Sequence, residues 1–342
     1  MISNSKHTYS GIFWICMFLF SCNGEETSPD NTYVFVKPEH FPEPTYTLEN
    51  NPITEKGFKL GRMLFFDPIL SIDGSVSCNN CHIQSTAFAD AQQHPLSIGV
   101  DNRVGIRNSP SLANMAFVPD FFWDGGVNHL DFVPLNAIES DFEMDETVEN
   151  VVAKLNAHEE YPGLFKEAFD IDEVTLPYML QALSQFTLLM VSDKSKYDQF
   201  VRGEIALTED EEAGMMLFQS KCSECHSGEL FTDFSFRNNG ISSTFVDEGR
   251  GRITENASDI GKFRVPSLRN VGLTAPYMHN AKFKTLEEVL DHYDNGIVDS
   301  ETLSPILKNG IALNDDEKVK IIAFLNTLSD QEFRQDKRFR NE

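Results

Sequence analysis

Residues 78–82 read Cys78-Asn79-Asn80-Cys81-His82, and residues 222–226 read Cys222-Ser223-Glu224-Cys225-His226. Both are C-x-x-C-H sequences, the pattern that attaches a c-type haem. The spacing has a chemical reason. Two cysteines about one turn apart can add to the two vinyl groups of one haem. The adjacent histidine then stands under the porphyrin to ligate iron. Two rivals stay open at this point. Four cysteines in two pairs could hold zinc, although zinc does not require a histidine after each second cysteine. A dithiol redox pair wants a βαβ setting, and neither motif has one.

The chain has six cysteines, and the other two are Cys16 and Cys22. Both fall in an N-terminal targeting segment. Lys6 supplies a positive region, and Gly11 to Phe20 is an apolar run of ten. That run is too short to span a bilayer and right for a signal core. It ends Leu19-Phe20-Ser21-Cys22, like a bacterial lipoprotein box. Cleavage before Cys22 leaves that cysteine to be acylated, and several acyl chains hold a protein firmly to a membrane. The expectation is a signal peptide over 1–21 and an exported lipoprotein, periplasmic or at the cell surface. No cysteine is then left for a structural disulfide.

Outward from the two motifs, the chain reads as two similar units behind a tether. Residues 22–50 are polar and punctuated by Pro29, Pro38, Pro42 and Pro44, and are expected to tether lipid to body. One unit, 51–205, opens with a helical pattern at Ile53 and Thr54 as N-cap. The other, 206–342, opens at Leu207, with Thr208 and Glu211 in capping-box spacing. Each opening helix carries a glycine and, four residues on, an aromatic: Gly61 and Phe65, Gly214 and Phe218. Positions i and i+4 share a helix face, so another helix can approach closely there. Further helices are expected near 147–157 and 176–190. A last one, capped by Asn314, is expected to turn Val319, Ile322, Phe324 and Leu325 inward. Strand signals are few and short.

Lys and Arg total 28 against 53 Asp and Glu, a formal charge of -25. A field of that sign repels nucleic acid and steers basic partners.

The chain resembles the bacterial diheme cytochrome c peroxidases from about Gly57 to Leu328. The sharpest stretches are GRMLFFDPILS before the first motif, RNSPSLAN at 107–114, FFWDGG at 121–126 and FRVPSLRNVGLTAPYMHNA at 263–281. The resemblance implies a mainly α fold of two cytochrome c-like domains packed face to face, each with one covalent haem. The haem on His82 would react with peroxide, and the haem on His226 would accept electrons. Trp123 matches the tryptophan between the haems. Asn108, with the backbone of Thr274 and Pro276, matches the ligands of a calcium ion. Glu143 matches the acid/base glutamate over the peroxidatic haem. His279 matches a histidine near the second haem, expected to orient a neighbour. His40, His129 and His158 have no matched role and are expected at the surface.

The departures bear on function. In the best-known members of the family a loop histidine blocks the peroxidatic iron until the other haem is reduced. Val100 stands at that place here and cannot ligate iron; His94 lies six residues earlier on the same loop. The distal glutamine of the family maps to Val133. The methionine ligand of the second haem maps to Tyr293, with His292 adjacent. A tyrosine there resembles the methylamine-utilisation-type diheme enzymes, and phenolate ligation lowers the reduction potential relative to methionine.

The expectation is a peroxidase that reduces hydrogen peroxide with electrons from a small cytochrome c or cupredoxin. One alternative is a diheme oxidase that uses peroxide to modify a partner protein. Another is a diheme electron carrier or sensor without enzymatic activity. A membrane partner through Cys22 and a homodimer complete the expected associations.

Overall fold

The computed structural model describes residues 1, 2, 4, 31–90 and 94–341. The signal and lipid-box readings, including Cys22, therefore lie outside the described residues. The chain divides into Met1–Thr32 and Tyr33–Glu342. Among the described residues, every α-helix and strand lies in the second unit, and no helix is long and apolar enough to cross a membrane.

Ten α-helices among the described residues carry this unit: α1 Glu55–Phe66, α2 Val133–Glu139, α3 Val148–Ala157, α4 Tyr161–Phe169, α5 Leu176–Leu188, α6 Lys196–Val201, α7 Glu209–Lys221, α8 Arg250–Thr254, α9 Leu286–Asp291 and α10 Asp315–Asn326. The one two-stranded sheet among the described residues pairs β1 Phe236–Arg237 antiparallel with β2 Phe263–Arg264. Long loops with short 3-10 turns connect these elements. The fold is mostly helical, as expected.

Local chemistry starts the two main helices where the sequence places them. The Thr54 hydroxyl accepts from Gly57 N at the head of α1. Thr208 and Glu211 cap α7 reciprocally. Each helix then packs on a partner through its glycine. A Cβ on Gly61 would collide with the Ala182 carbonyl of α5, and one on Gly214 with the Lys320 carbonyl of α10. Phe65 meets Phe186 with ring centroids 5.1 Å apart, and Phe218 meets Phe324 at 5.2 Å. The same helix pair is thus built twice.

Three expectations need correction. Val319 is 64 % exposed. The buried face of α10 is instead Ile321, Phe324 and Leu325, continued by Leu328. These lie three or four apart and face α7, whereas Val319 precedes that stripe by two residues. Residues 33–50, expected within the tether, lie on the body: Phe41 and Tyr46 are buried against Phe117, Phe121 and Leu188. The end of the chain also crosses the boundary expected at 206, because Phe333 and Phe339 are buried in the core around Phe58, Phe88 and Phe186.

Candidate haem sites and the residues around them

After α1 the chain makes a tight turn at Cys78–Asn80, where Ser77 and Asn80 cap one another. His82 follows, and its Nδ1 lies 2.8 Å from the Phe88 carbonyl oxygen. A carbonyl can only accept, so Nδ1 carries the proton and Nε2 keeps its lone pair. The second motif repeats this: His226 Nδ1 donates to the Phe231 carbonyl across 3.0 Å. Burial holds both imidazoles below their ordinary pKa, so both stay neutral. Neutral imidazoles with Nδ1 tied to a backbone carbonyl suit metal ligation.

The four thiols are free. Burial pushes Cys78 and Cys222 up to about 12 and Cys81 to about 11. A redox dithiol needs a lowered pKa, which these thiols lack. A structural zinc needs about four ligands together, and no group of three or more His, Cys, Asp or Glu among the described residues could hold a metal ion.

A cavity of ≈ 280 Å³ adjoins the second motif. Cys222, Cys225, His226 and Tyr293 line it, with an apolar shell that includes Phe218, Leu268, Leu290 and Leu325. Thiols, a ligating imidazole and apolar walls together fit a tethered haem.

The cavity decides where other expected residues stand. Asn108, Thr274, Pro276, Trp123 and His279 all line it. Trp123 bridges the two halves of the molecule: its Nε1 donates to the Asn108 carbonyl at 2.9 Å, and its own carbonyl accepts from Arg264 N at 2.7 Å. Its neighbour Asp124 is buried and takes Arg107 at 2.7 Å and Arg252 at 3.1 Å. Arg107 also grips Asp247 at 2.6 Å, which ties the two halves beside Trp123. His279 stacks on Phe263 with centroids 3.5 Å apart, and burial drives its pKa to about 4. His292 does not line the cavity; its Nε2 bonds to the Asn239 carbonyl at 2.9 Å.

At the first motif, burial alone pushes the Glu143 carboxyl up to about 7. The Glu143 carbonyl accepts from Val100 N at 2.8 Å, and Val100 is buried. Val133 begins α2. His94 Nδ1 lies 3.4 Å from Asp90, whose buried oxygens have no hydrogen-bond partner.

Three features here escape the sequence expectations. Arg264 lines the cavity as a half-buried cation; desolvation lowers its pKa to about 10, with Asp120 opposing. The triplet Pro-Ser-Leu recurs at 110–112 and 266–268, and each serine anchors a motif loop, Ser111 to the Ala87 carbonyl and Ser267 to the Leu230 carbonyl. That repeat was legible. His40 is not a surface residue: its Nε2 lies 3.0 Å from buried Asp198, which also pairs with Arg269 at 2.9 Å.

Comparison with known proteins agrees with this arrangement. A family model, di-haem cytochrome c peroxidase, matches residues 55–206. The chain is 34% identical over 300 residues to the methylamine utilization protein MauG of Methylorubrum extorquens, covering 86% of this chain and 83% of that one. It is 35% identical over 289 residues to the cytochrome c551 peroxidase of Nitrosomonas europaea, covering 83% and 81%. A solved MauG-like protein associated with microbial copper homeostasis aligns with a TM-score of 0.82 at 33% identity, over 89% of this chain and 97% of that chain.

Proposed function

The chain belongs to the di-haem cytochrome c peroxidase family, and we propose that it reduces hydrogen peroxide to water with two electrons from a small redox protein. Cys78, Cys81 and His82 hold one haem, and Cys222, Cys225 and His226 the other. When bound, the haems would supply two redox-active irons, and peroxide chemistry would take place at one of them. Tyr293, which lines the cavity with His226, would be the further ligand to a haem held there. Arg264 supplies a cation for the acidic groups of the second haem.

Glu143 carries the proton. Peroxide cleavage needs a proton removed from one oxygen and returned to the other. A carboxyl with a pKa of about 7 exchanges protons readily near neutrality. Val100 stands where the family's loop ligand would be and carries no atom that could ligate an iron held by His82. Trp123 couples the two halves. Asn108 and the carbonyls of Thr274 and Pro276 offer oxygen ligands for a calcium ion between them. The protein is exported and anchored through Cys22.

The observation that carries this reading is the desolvated carboxyl of Glu143 beside the first haem motif. Burial of Cys78 and Cys81 is accompanied by repulsion from Glu143, so the three groups are close. The test is peroxide consumption by the purified holoprotein with reduced cytochrome c or cupredoxin as donor. Turnover that disappears in Glu143→Gln supports the proposal; a holoprotein inert to peroxide with every donor ends it.

Tyr293 in the cavity wall favours the second reading, in which peroxide oxidises residues of a partner protein. Turnover with a protein substrate, and none with reduced cytochrome, would select it. A carrier or sensor without enzymatic activity would show no catalytic peroxide loss at all.

A further inference from the structure

Building on the reading of His82 as the ligand of the first haem, we propose that residues 330–339, at the far end of the chain, are a strap that positions His82. Phe333 and Gln84 are its two points of grip. The strap is rooted beside the second haem cavity, so it ties the ligand of one iron to the surroundings of the other.

The root is buried. Asn270 and Asp330 are both enclosed, and Asn270 Oδ1 accepts from Asp330 N at 2.9 Å. Asp330 Oδ1 in turn accepts from Phe333 N at 2.9 Å. The other Asp330 oxygen accepts from Ser192 Oγ at 3.1 Å and Lys194 N at 3.0 Å. Asn270 stands between Arg269 and Val271, two residues of the cavity wall.

The other end holds the loop that follows His82. The Gln84 carboxamide nitrogen donates to the Asp336 carbonyl at 2.7 Å and to the Phe333 carbonyl at 3.4 Å. That nitrogen carries two hydrogens, one for each acceptor. Phe333 and Phe339 close on the Phe88 ring, with centroids 5.8 Å and 6.0 Å from it.

That loop needs holding. Ala87 and Phe88 are both left-handed, with φ of +54° and +60°. Such backbone is costly for residues with a Cβ and persists where the surroundings over-determine it. The Phe88 carbonyl is the acceptor for His82 Nδ1, so whatever fixes Phe88 also fixes the imidazole. Phe231 of the second motif is left-handed too, at φ +53°. Its ring packs on Phe218 and Phe324 of its own helix pair, and on Tyr197. Phe88 has one ring from its own helix pair, Phe65 at 6.1 Å, and takes two more from the strap.

The consequence is electronic. A carbonyl that accepts from Nδ1 makes the imidazole a stronger donor through Nε2, which favours ferric iron. A slack strap lets the Phe88 carbonyl drift and weakens that donation.

The test uses the purified holoprotein as wild type, Phe333→Ala, Phe333→Leu, Gln84→Met and His82→Gly. Resonance Raman reads the iron–histidine stretch of the reduced first haem, and spectroelectrochemistry reads each haem separately. Phe333→Ala should lower the stretching frequency. It should also move the first haem about tenfold toward ferrous, about 59 mV for one electron. Phe333→Leu should lie nearer wild type, and the second haem should be unmoved. Gln84→Met leaves the aromatic core intact, so it keeps the test decisive where Phe333→Ala unfolds; it should shift both readouts in the same direction. A stretch and a potential unchanged in Phe333→Ala and Gln84→Met would overturn the strap while leaving His82 as ligand. Equal shifts at both haems would overturn it as general loosening. An iron–histidine stretch that survives in His82→Gly would overturn the reading of His82 itself.

Discussion

The Nδ1 of His82 donates to the carbonyl of Phe88, six residues on, across 2.8 Å. His226 makes the corresponding bond to Phe231. Each bond fixes the tautomer whose Nε2 can take iron. Ligation and tethering should therefore separate. His82→Gly should keep two covalent haems on a haem-stained gel, lose the spectral response to peroxide, and regain part of it with added imidazole. Cys81→Ser combined with Cys78→Ser should leave one covalent haem instead of two.

Glu143 gives a pH signature. Its carboxyl is pushed up to about 7 by burial, so it is protonated below that pH and ionised above. It must be ionised to take the first proton from peroxide. Turnover should then fall as pH drops through about 7. Glu143→Gln should lose that limb and about 10²–10⁴-fold of the rate. The stability sign is opposite. A raised carboxyl pKa means the native state binds more protons than the unfolded chain between the ordinary carboxylate range and 7. Stability from this group is full below that window and declines as pH rises through it. Glu143→Gln should therefore be more stable than wild type at pH 8, by chemical denaturation at matched haem content.

Gly214 tests the duplicated helix contact. In an isolated helix, alanine is more favourable than glycine by about 1 kcal/mol. Here a Cβ would meet the Lys320 carbonyl, which is backbone and cannot step aside. Gly214→Ala should instead lower stability by about 1–3 kcal/mol. Gly61→Ala should do the same at Ala182. Thermal and denaturant unfolding of each variant measure this.

Asp198 tests the buried charge network. Burial pushes its carboxyl up, but Arg269, Ser195 and His40 outweigh that and hold it below the usual range. Removing one partner of a buried pair costs about 3–5 kcal/mol. Asp198→Asn should lose stability of that order at pH 7, since Arg269 stays buried. A lowered carboxyl pKa contributes stability above the unfolded value, which is lost as pH falls through the folded one. The gap between wild type and variant should therefore narrow in acid.

Much of the fold was legible because its determinants are local. Thr54, Thr208 with Glu211, and Asn314 with Glu317 cap helices within one turn of themselves. The Gly61/Phe65 and Gly214/Phe218 pairs announced close helix packing without naming the partners. What failed was non-local or short. His40 meets Asp198 across 158 residues, and no pattern signals that. Phe333 and Phe339 return to the first core at a distance in sequence that periodicity cannot see. The six-residue helices α6 and α9 are too brief to show a period. At the site, the C-x-x-C-H motifs carry their chemistry in their spacing. Arg264 does not: it is an arginine in a strand until the cavity brings it together with the second of them.

The proposed peroxide chemistry turns on an iron above His82 that is open before any electron arrives. The most direct measurement is rapid mixing of the fully oxidised holoprotein with hydrogen peroxide, followed by absorbance and by freeze-quenched electron paramagnetic resonance. An open iron predicts a high-spin ferric signal at rest that is consumed by peroxide without prior reduction. A resting protein with both irons six-coordinate and low-spin, unresponsive until half-reduced, would contradict it.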